Sequence, residues 1–196
     1  VGSVLSQTVQ DFEAIVVDGN SDDRGPAIVR GMGDPRVRVV QQRGRGVSRA
    51  RNQGIAMSRA DLIAFLDADD EWLPHHLKTL LRLRERYPRA GACATAYHVH
   101  TAGGRTFPAD IRGLPPPPWE GLIPNYFETA AMGDGPLITS AVAIPKEKLA
   151  EFRGFRTDAW WGEDTDLWGR IALQYPIAFT WRAGAVYHAE NADSAV

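Results

Sequence analysis

Cysteine is almost absent: Cys93 is the single thiol in 196 residues. That excludes a disulfide framework and suits a reducing compartment. Long apolar runs are missing too, since no stretch approaches the ~18 residues of a membrane span, and the first residues lack the charged-then-apolar pattern of a signal peptide. Nor is there an excess of one charge. With 22 Lys and Arg against 24 Asp and Glu the formal net charge is −2, which argues against a dedicated nucleic-acid binder. Gly and Pro, at 19 and 13, are too few for a collagen-like or low-complexity chain. What remains is 44% hydrophobic, and at this length an average domain buries roughly 70% of its unfolded surface.

The apolar runs alternate with helical patterns. "EAIVVDG" reads as a buried strand closed by Asp18 and Gly19, a short helix follows around Pro26 to Met32, and "VRVVQQ" reads as a second strand. Ser48 is a candidate cap for a helix through "RARNQGIAMS", and "DLIAFLD" is the clearest buried strand. Beyond Pro74, Leu77, Leu80, Leu81 and Leu83 share one helix face until Pro88. After Gly91 the pattern changes to "ACATAYHVHT" with a turn at Gly103 and Gly104, a stiff proline run from Pro115 to Pro118, a strand "SAVAIP", helices "KEKLAEF" and "EDTDLWGRIAL", and two short strands "IAFTW" and "AVYH". The expectation is one α/β domain in two halves, a mainly parallel nucleotide-type sheet flanked by helices over residues 1–90, and a smaller mixed half that carries a second substrate over 91–196.

In open α/β sheets ligands collect at the carboxyl ends of strands. Two strands end in acid: Asp18, and the group Asp67, Asp69 and Asp70. Three carboxylates within four residues repel one another unless solvated, protonated or neutralised, and Mg²⁺ or Mn²⁺ neutralises such a group while leaving room for phosphate oxygens. The same acids also fit solvated turn residues and a helix cap, and spacing does not choose between the two.

Seven arginines and no acid lie from Arg36 to Arg59. Arg45, Arg49 or Arg51 near a helix start offers bidentate donors to phosphate or base, with Arg51, beside Asn52, the favoured one; a solvated helix face is the plainer reading of any one of them. In "WWGEDTDLWGR", Trp160 and Trp161 present rings that stack on sugars, and Glu163 and Asp164 are placed to take a proton from a hydroxyl or to complement the helix dipole. His188, at the end of "AVYH", is a candidate third metal ligand, although a lone histidine is more often structural.

These clusters, in this order, resemble the inverting glycosyltransferases of family 2, which have the GT-A fold. The stretches that carry the resemblance are "SVLSQTVQDFEAIVVDGNSDD", "GVSRARNQGIAMSRADLIAFLDADDEWLP" and "GEDTDLWGRIAL", from Ser3 to Leu173. The resemblance implies that Asp18 contacts the nucleobase, that Asp67 and Asp69 hold the metal and diphosphate, and that Asp164 is the acceptor's base. It also implies a nucleoside-diphosphate sugar donor, a UDP-sugar favoured, and a hydroxyl acceptor such as a glycan or lipid-linked sugar. Sugar nucleotides point to the cytoplasm, and peripheral membrane association of a longer parent protein is compatible with this. Two departures stand out. Family members usually begin with an apolar strand and a Pro-containing turn, both missing before "SVLSQT", so a truncated N-terminus and a gap in the sheet between "AIVV" and "LIAFL" are expected. Gly19 also stands where a second acid usually follows Asp18.

Three other readings remain. "FLDADDEW" superficially matches the haloacid-dehalogenase-type phosphatases, with Asp67 as nucleophile and Asp69 as acid/base, but Glu71 and Trp72 stand where that family has small hydroxyl residues. A non-catalytic sugar-nucleotide or glycan-binding module is the second. Nucleic-acid binding through the basic stretch is a remote third.

Overall fold

A computed structural model describes residues 1–159 and 161–189. Its elements, in chain order, are helix α1 (Gly2–Leu5), strand β1 (Ala14–Asp18), α2 (Gly25–Gly31), β2 (Val37–Gln41), α3 (Val47–Met57), β3 (Leu62–Ala64), β4 (Glu71–Trp72) and α4 (His76–Arg86). They continue with β5 (Ala92–His100), β6 (Thr106–Pro108), β7 (Glu120–Leu122), α5 (Tyr126–Ala131), a 3₁₀ turn (Thr139–Ala141), β8 (Val142–Pro145), α6 (Lys146–Glu151), α7 (Glu163–Ala172) and β9 (Ile177–His188). The α/β class expected from the apolar runs is the one found.

Strand sense is more mixed than the sequence suggests. β1 and β2 form a parallel pair of their own. The larger sheet has the order β3-β8-β5-β9-β4, with β6 on β5 and β7 on β9. In it β5 and β9 run parallel, while β3 pairs with β8, β8 with β5, and β4 with β9 antiparallel. Among the described residues no strand pairs with the second edge of either β1 or β3, so these two strands belong to different sheets.

The centre of the large sheet is built from small residues, and alternation along the strand decides what covers each face. Cys93 packs with Leu80 and Leu83 of α4, whereas Ala92 and Ala94 pack in the cluster that holds Leu167, Trp168 and Ile171 of α7. Burial pushes the Cys93 thiol up to about 12, so it fills space and stays protonated. Leu77, Leu80 and Leu83 turn inward as the helix period predicts, while Leu81 is left exposed.

Two local expectations are corrected. Ser48 does not cap α3: the cap residue is Gly46, and Ser48 lies inside the first turn, buried, its Oγ without a partner. The segments "IAFTW" and "AVYH" form one strand, β9, which pairs with β5 on both sides of a bulge: Thr95 lies opposite Thr180 and Tyr97 opposite Ala185, so the extra residues between the two segments sit in β9.

Candidate active site

The strand-end acids occupy different environments. Asp18 closes β1, half-buried, and its carboxylate accepts a hydrogen bond from the Ser21 amide at 3.0 Å, which holds it below the usual carboxylate range. Asp67 follows β3, and its carboxylate is a third exposed. Asp69 is exposed, and Asp70 is buried. The acid motif gives Asp70 no role apart from its neighbours. Its Oδ2 accepts from the Ser140 hydroxyl at 2.5 Å and its Oδ1 from the His188 amide at 3.0 Å. Burial raises the Asp70 carboxyl, against the pull of those two bonds, and the negative Asp69 and Asp67 add to the rise.

Arg51, on α3, is the hub. Its Nη2 donates to Asp67 Oδ1 at 2.8 Å and its Nη1 to Glu163 Oε1 at 2.7 Å, with the guanidinium over the Phe155 ring at 5.3 Å. Burial alone would lower this cation's pKa, but the two carboxylates outweigh it and raise it above the ordinary value. The next residue fixes the same helix to the second half of the chain: Asn52 donates to the Phe155 carbonyl at 2.7 Å and accepts from its amide at 2.9 Å. Gly154 makes room for this clamp, with φ +65° and an added Cβ only 2.3 Å from Asn52 Oδ1.

α7 begins at Gly162, left-handed at φ 72°, so Glu163 and Asp164 stand in its first turn. Glu163 is buried against Arg51. Asp164 accepts from the Thr165 amide through Oδ1 at 2.7 Å and from the Thr139 hydroxyl through Oδ2 at 3.3 Å. Two tyrosines that the sequence does not single out stand near it. Burial, then the charge of Asp164, pushes the Tyr126 hydroxyl up to about 12. Tyr187 is raised by burial and then by Asp70, Asp69, Asp67 and Asp164 together, which places its ring within the field of both acid groups. Trp161 is 78% exposed, and Trp160 lies outside the described residues.

His188 stacks near His100 at 5.0 Å and lies with Nε2 3.3 Å from Glu71 Oε1. That contact has the reach of an ion pair without hydrogen-bond geometry, so Nε2 is buried and unpartnered. No three His, Cys, Asp or Glu side chains among the described residues form a ready ligand group. The two carboxylates after β3, Asp67 and Asp69, are donors of the type that a hard divalent cation takes, whereas His188 Nε2 faces Glu71. Asp67 would have to be shared with Arg51.

The fold is that of the GT-A glycosyltransferases of known structure. S. aureus TarS, solved with UDP-GlcNAc, superposes with a TM-score of 0.76 over 99% of this chain and 55% of that one, at 16% identity, a likeness of fold. The family model described as glycosyl transferase family 2 matches residues 1–142, and the chain belongs to that family. Succinoglycan biosynthesis protein ExoO of Rhizobium meliloti is 43% identical over 47% of this chain and 26% of its own length. A putative glycosyltransferase, EpsH of Bacillus subtilis, is 31% identical over 67% of this chain and 39% of its own. The chain thus spans less than half the length of either relative. Among the described residues no helix is long and apolar enough to cross a membrane.

Proposed function

We propose that this protein transfers a sugar from a nucleoside-diphosphate donor, a UDP-sugar first among them, to a hydroxyl acceptor with inversion at the transferred carbon. One observation carries the reading: Arg51 ties Asp67, at the donor-side strand end, to Glu163, the neighbour of Asp164. A donor held at Asp67 and a base at Asp164 are then parts of one framework, as a single displacement requires.

In this reading Asp18 receives the nucleobase. Asp67, Asp69 and His188 would hold Mg²⁺ or Mn²⁺, which when bound offsets charge on the leaving diphosphate. Asp164 accepts the proton of the acceptor hydroxyl. Thr139 and the Thr165 amide aim its two oxygens. Glu163, already committed to Arg51, positions rather than reacts. Trp161 and Trp160 stack on the acceptor sugar. The lineage of ExoO, named for succinoglycan biosynthesis, supports a glycan or lipid-linked acceptor, and use of sugar nucleotides supports action on the cytoplasmic side of the membrane.

The test is a panel of UDP-, GDP- and dTDP-sugars with Mn²⁺, with and without excess chelator, on the full-length gene product, reading nucleotide affinity, transfer and the anomeric configuration of the product. Inverted product and affinity lost in chelator are expected. Retained configuration would overturn the inverting route, equal affinity in chelator the metal, and tight nucleotide binding with no transfer to any acceptor would leave a binding module instead.

A further inference from the structure

We infer that Thr139 and Ser140, successive residues of one buried 3₁₀ turn, are a paired positioning device, Ser140 shaping the donor-side acid turn and Thr139 aiming the base Asp164. This rests on the proposed transfer reaction and adds to it two residues that the acid motifs do not include.

The starting point is strand register. β3 and β8 are antiparallel with Leu62 opposite Pro145, Ile63 opposite Ile144 and Ala64 opposite Ala143. Continuing that register by three residues past β3 sets Ser140 across from Asp67, and the Asp67 amide donates to Ser140 Oγ at 3.1 Å. The same hydroxyl donates to Asp70 Oδ2 at 2.5 Å, while the Asp70 amide closes the turn onto the Asp67 carbonyl at 3.2 Å. One hydroxyl thereby uses its donor and an acceptor lone pair on the two ends of a single turn. Its own carbonyl accepts from Trp72 Nε1 at 2.8 Å, so Ser140 is itself held. With both ends pinned, Asp69 between them is left facing solvent.

Thr139 serves the other half. Its Oγ1 donates to Asp164 Oδ2 at 3.3 Å across the start of α7. Both residues are buried, Thr139 at 4% and Ser140 at 1% exposure. Buried hydroxyls in or beside a strand usually satisfy nearby backbone. These two donate to carboxylates at opposite ends of the site, Ser140 while also accepting from the Asp67 amide.

Different jobs predict different kinetic signatures. Binding of UDP, GDP and dTDP in Mn²⁺ is measured by calorimetry, and turnover with the sugar nucleotide of whichever binds, on folded variants of the full-length gene product. Ser140→Ala is expected to weaken nucleotide binding tenfold or more, with a smaller fall in kcat at saturation. Thr139→Val should leave the Kd within twofold and lower kcat tenfold or more, and Thr139→Ser should restore it. If Ser140→Ala does not fold, Ser140→Cys, a weak donor of similar size, makes the same comparison. Active, nucleotide-binding wild type with both variants unchanged, or with both falling in the same parameter by the same factor, overturns the pairing and leaves the transfer reaction standing. Wild type that binds none of the three nucleotides overturns both.

Discussion

Arg51 and Glu163, 112 residues apart in sequence, are joined at 2.7 Å, each side chain only 12% exposed. Because the same guanidinium also holds Asp67, the ion pair is the physical link between the strand-end acid and the helix that carries the proposed base. A pair so buried contributes little net stability compared with apolar packing, yet breaking one half leaves a charge stranded.

Arg51→Ala is therefore expected to destabilise the fold by about 3 kcal/mol, the range for an uncompensated buried charge. The double variant Arg51→Met with Glu163→Gln removes both charges and should recover much of that loss. Urea unfolding of the singles and the double gives the coupling, and additive effects would show that the two side chains do not depend on each other.

Asp164→Asn keeps shape and removes the proposed base. Nucleotide affinity should stay near wild type while the rate of transfer falls by roughly 10²–10⁴-fold. Glu163→Gln should cost less in rate, since its oxygen already serves Arg51. The reverse ranking in a transfer assay would reassign the base to Glu163.

Gly154→Ala tests the clamp between α3 and the segment before α7. A side chain there is strained by φ +65° and meets Asn52 Oδ1 at 2.3 Å, so the Asn52 bonds to Phe155 must yield. A loss of roughly 1–3 kcal/mol in unfolding free energy is expected. An unchanged melting curve would mean that the clamp does not hold the two segments.

His76 gives the fold an acid sensitivity. Burial lowers its pKa from 6.5 to about 3, with His75 adding a little. The unfolded chain therefore takes up a proton that the folded chain refuses. Stability from this group is complete above pH 6.5 and drains as pH falls from there toward 3, at up to about 1.4 kcal/mol per pH unit. His76→Phe should flatten the slope of unfolding free energy between about pH 6.5 and pH 5, whatever its effect on absolute stability. Equal slopes would assign the acid loss to other groups.

Local pattern made a good part of this molecule legible. Asp18 and Asp67 follow continuous apolar runs, and such runs become strands whose ends are where a sheet presents its chemistry. Gly162 before a 3.6-period apolar stripe marks the start of α7, which places Glu163 and Asp164 in one turn. Those features are set within a few residues of chain, so composition and periodicity reach them. Strand sense is not local. That β8 runs antiparallel to β3, and so sets Ser140 beside Asp67 across 73 residues, follows from pairing energies shared by the whole sheet. The separation of Asp69, exposed, from Asp70, buried, has the same origin, since adjacent identical acids carry no sequence signal for which of them meets Ser140 and the His188 amide. The sequence by itself determined the class of the fold, the acids at its strand ends and the helix that carries the candidate base. Only the tertiary structure decided which carboxylates Arg51 joins and which hydroxyls meet Asp70 and Asp164, because hydrogen bonds between distant segments exist only once the antiparallel register and the packing of α3 and α7 have brought their partners within reach.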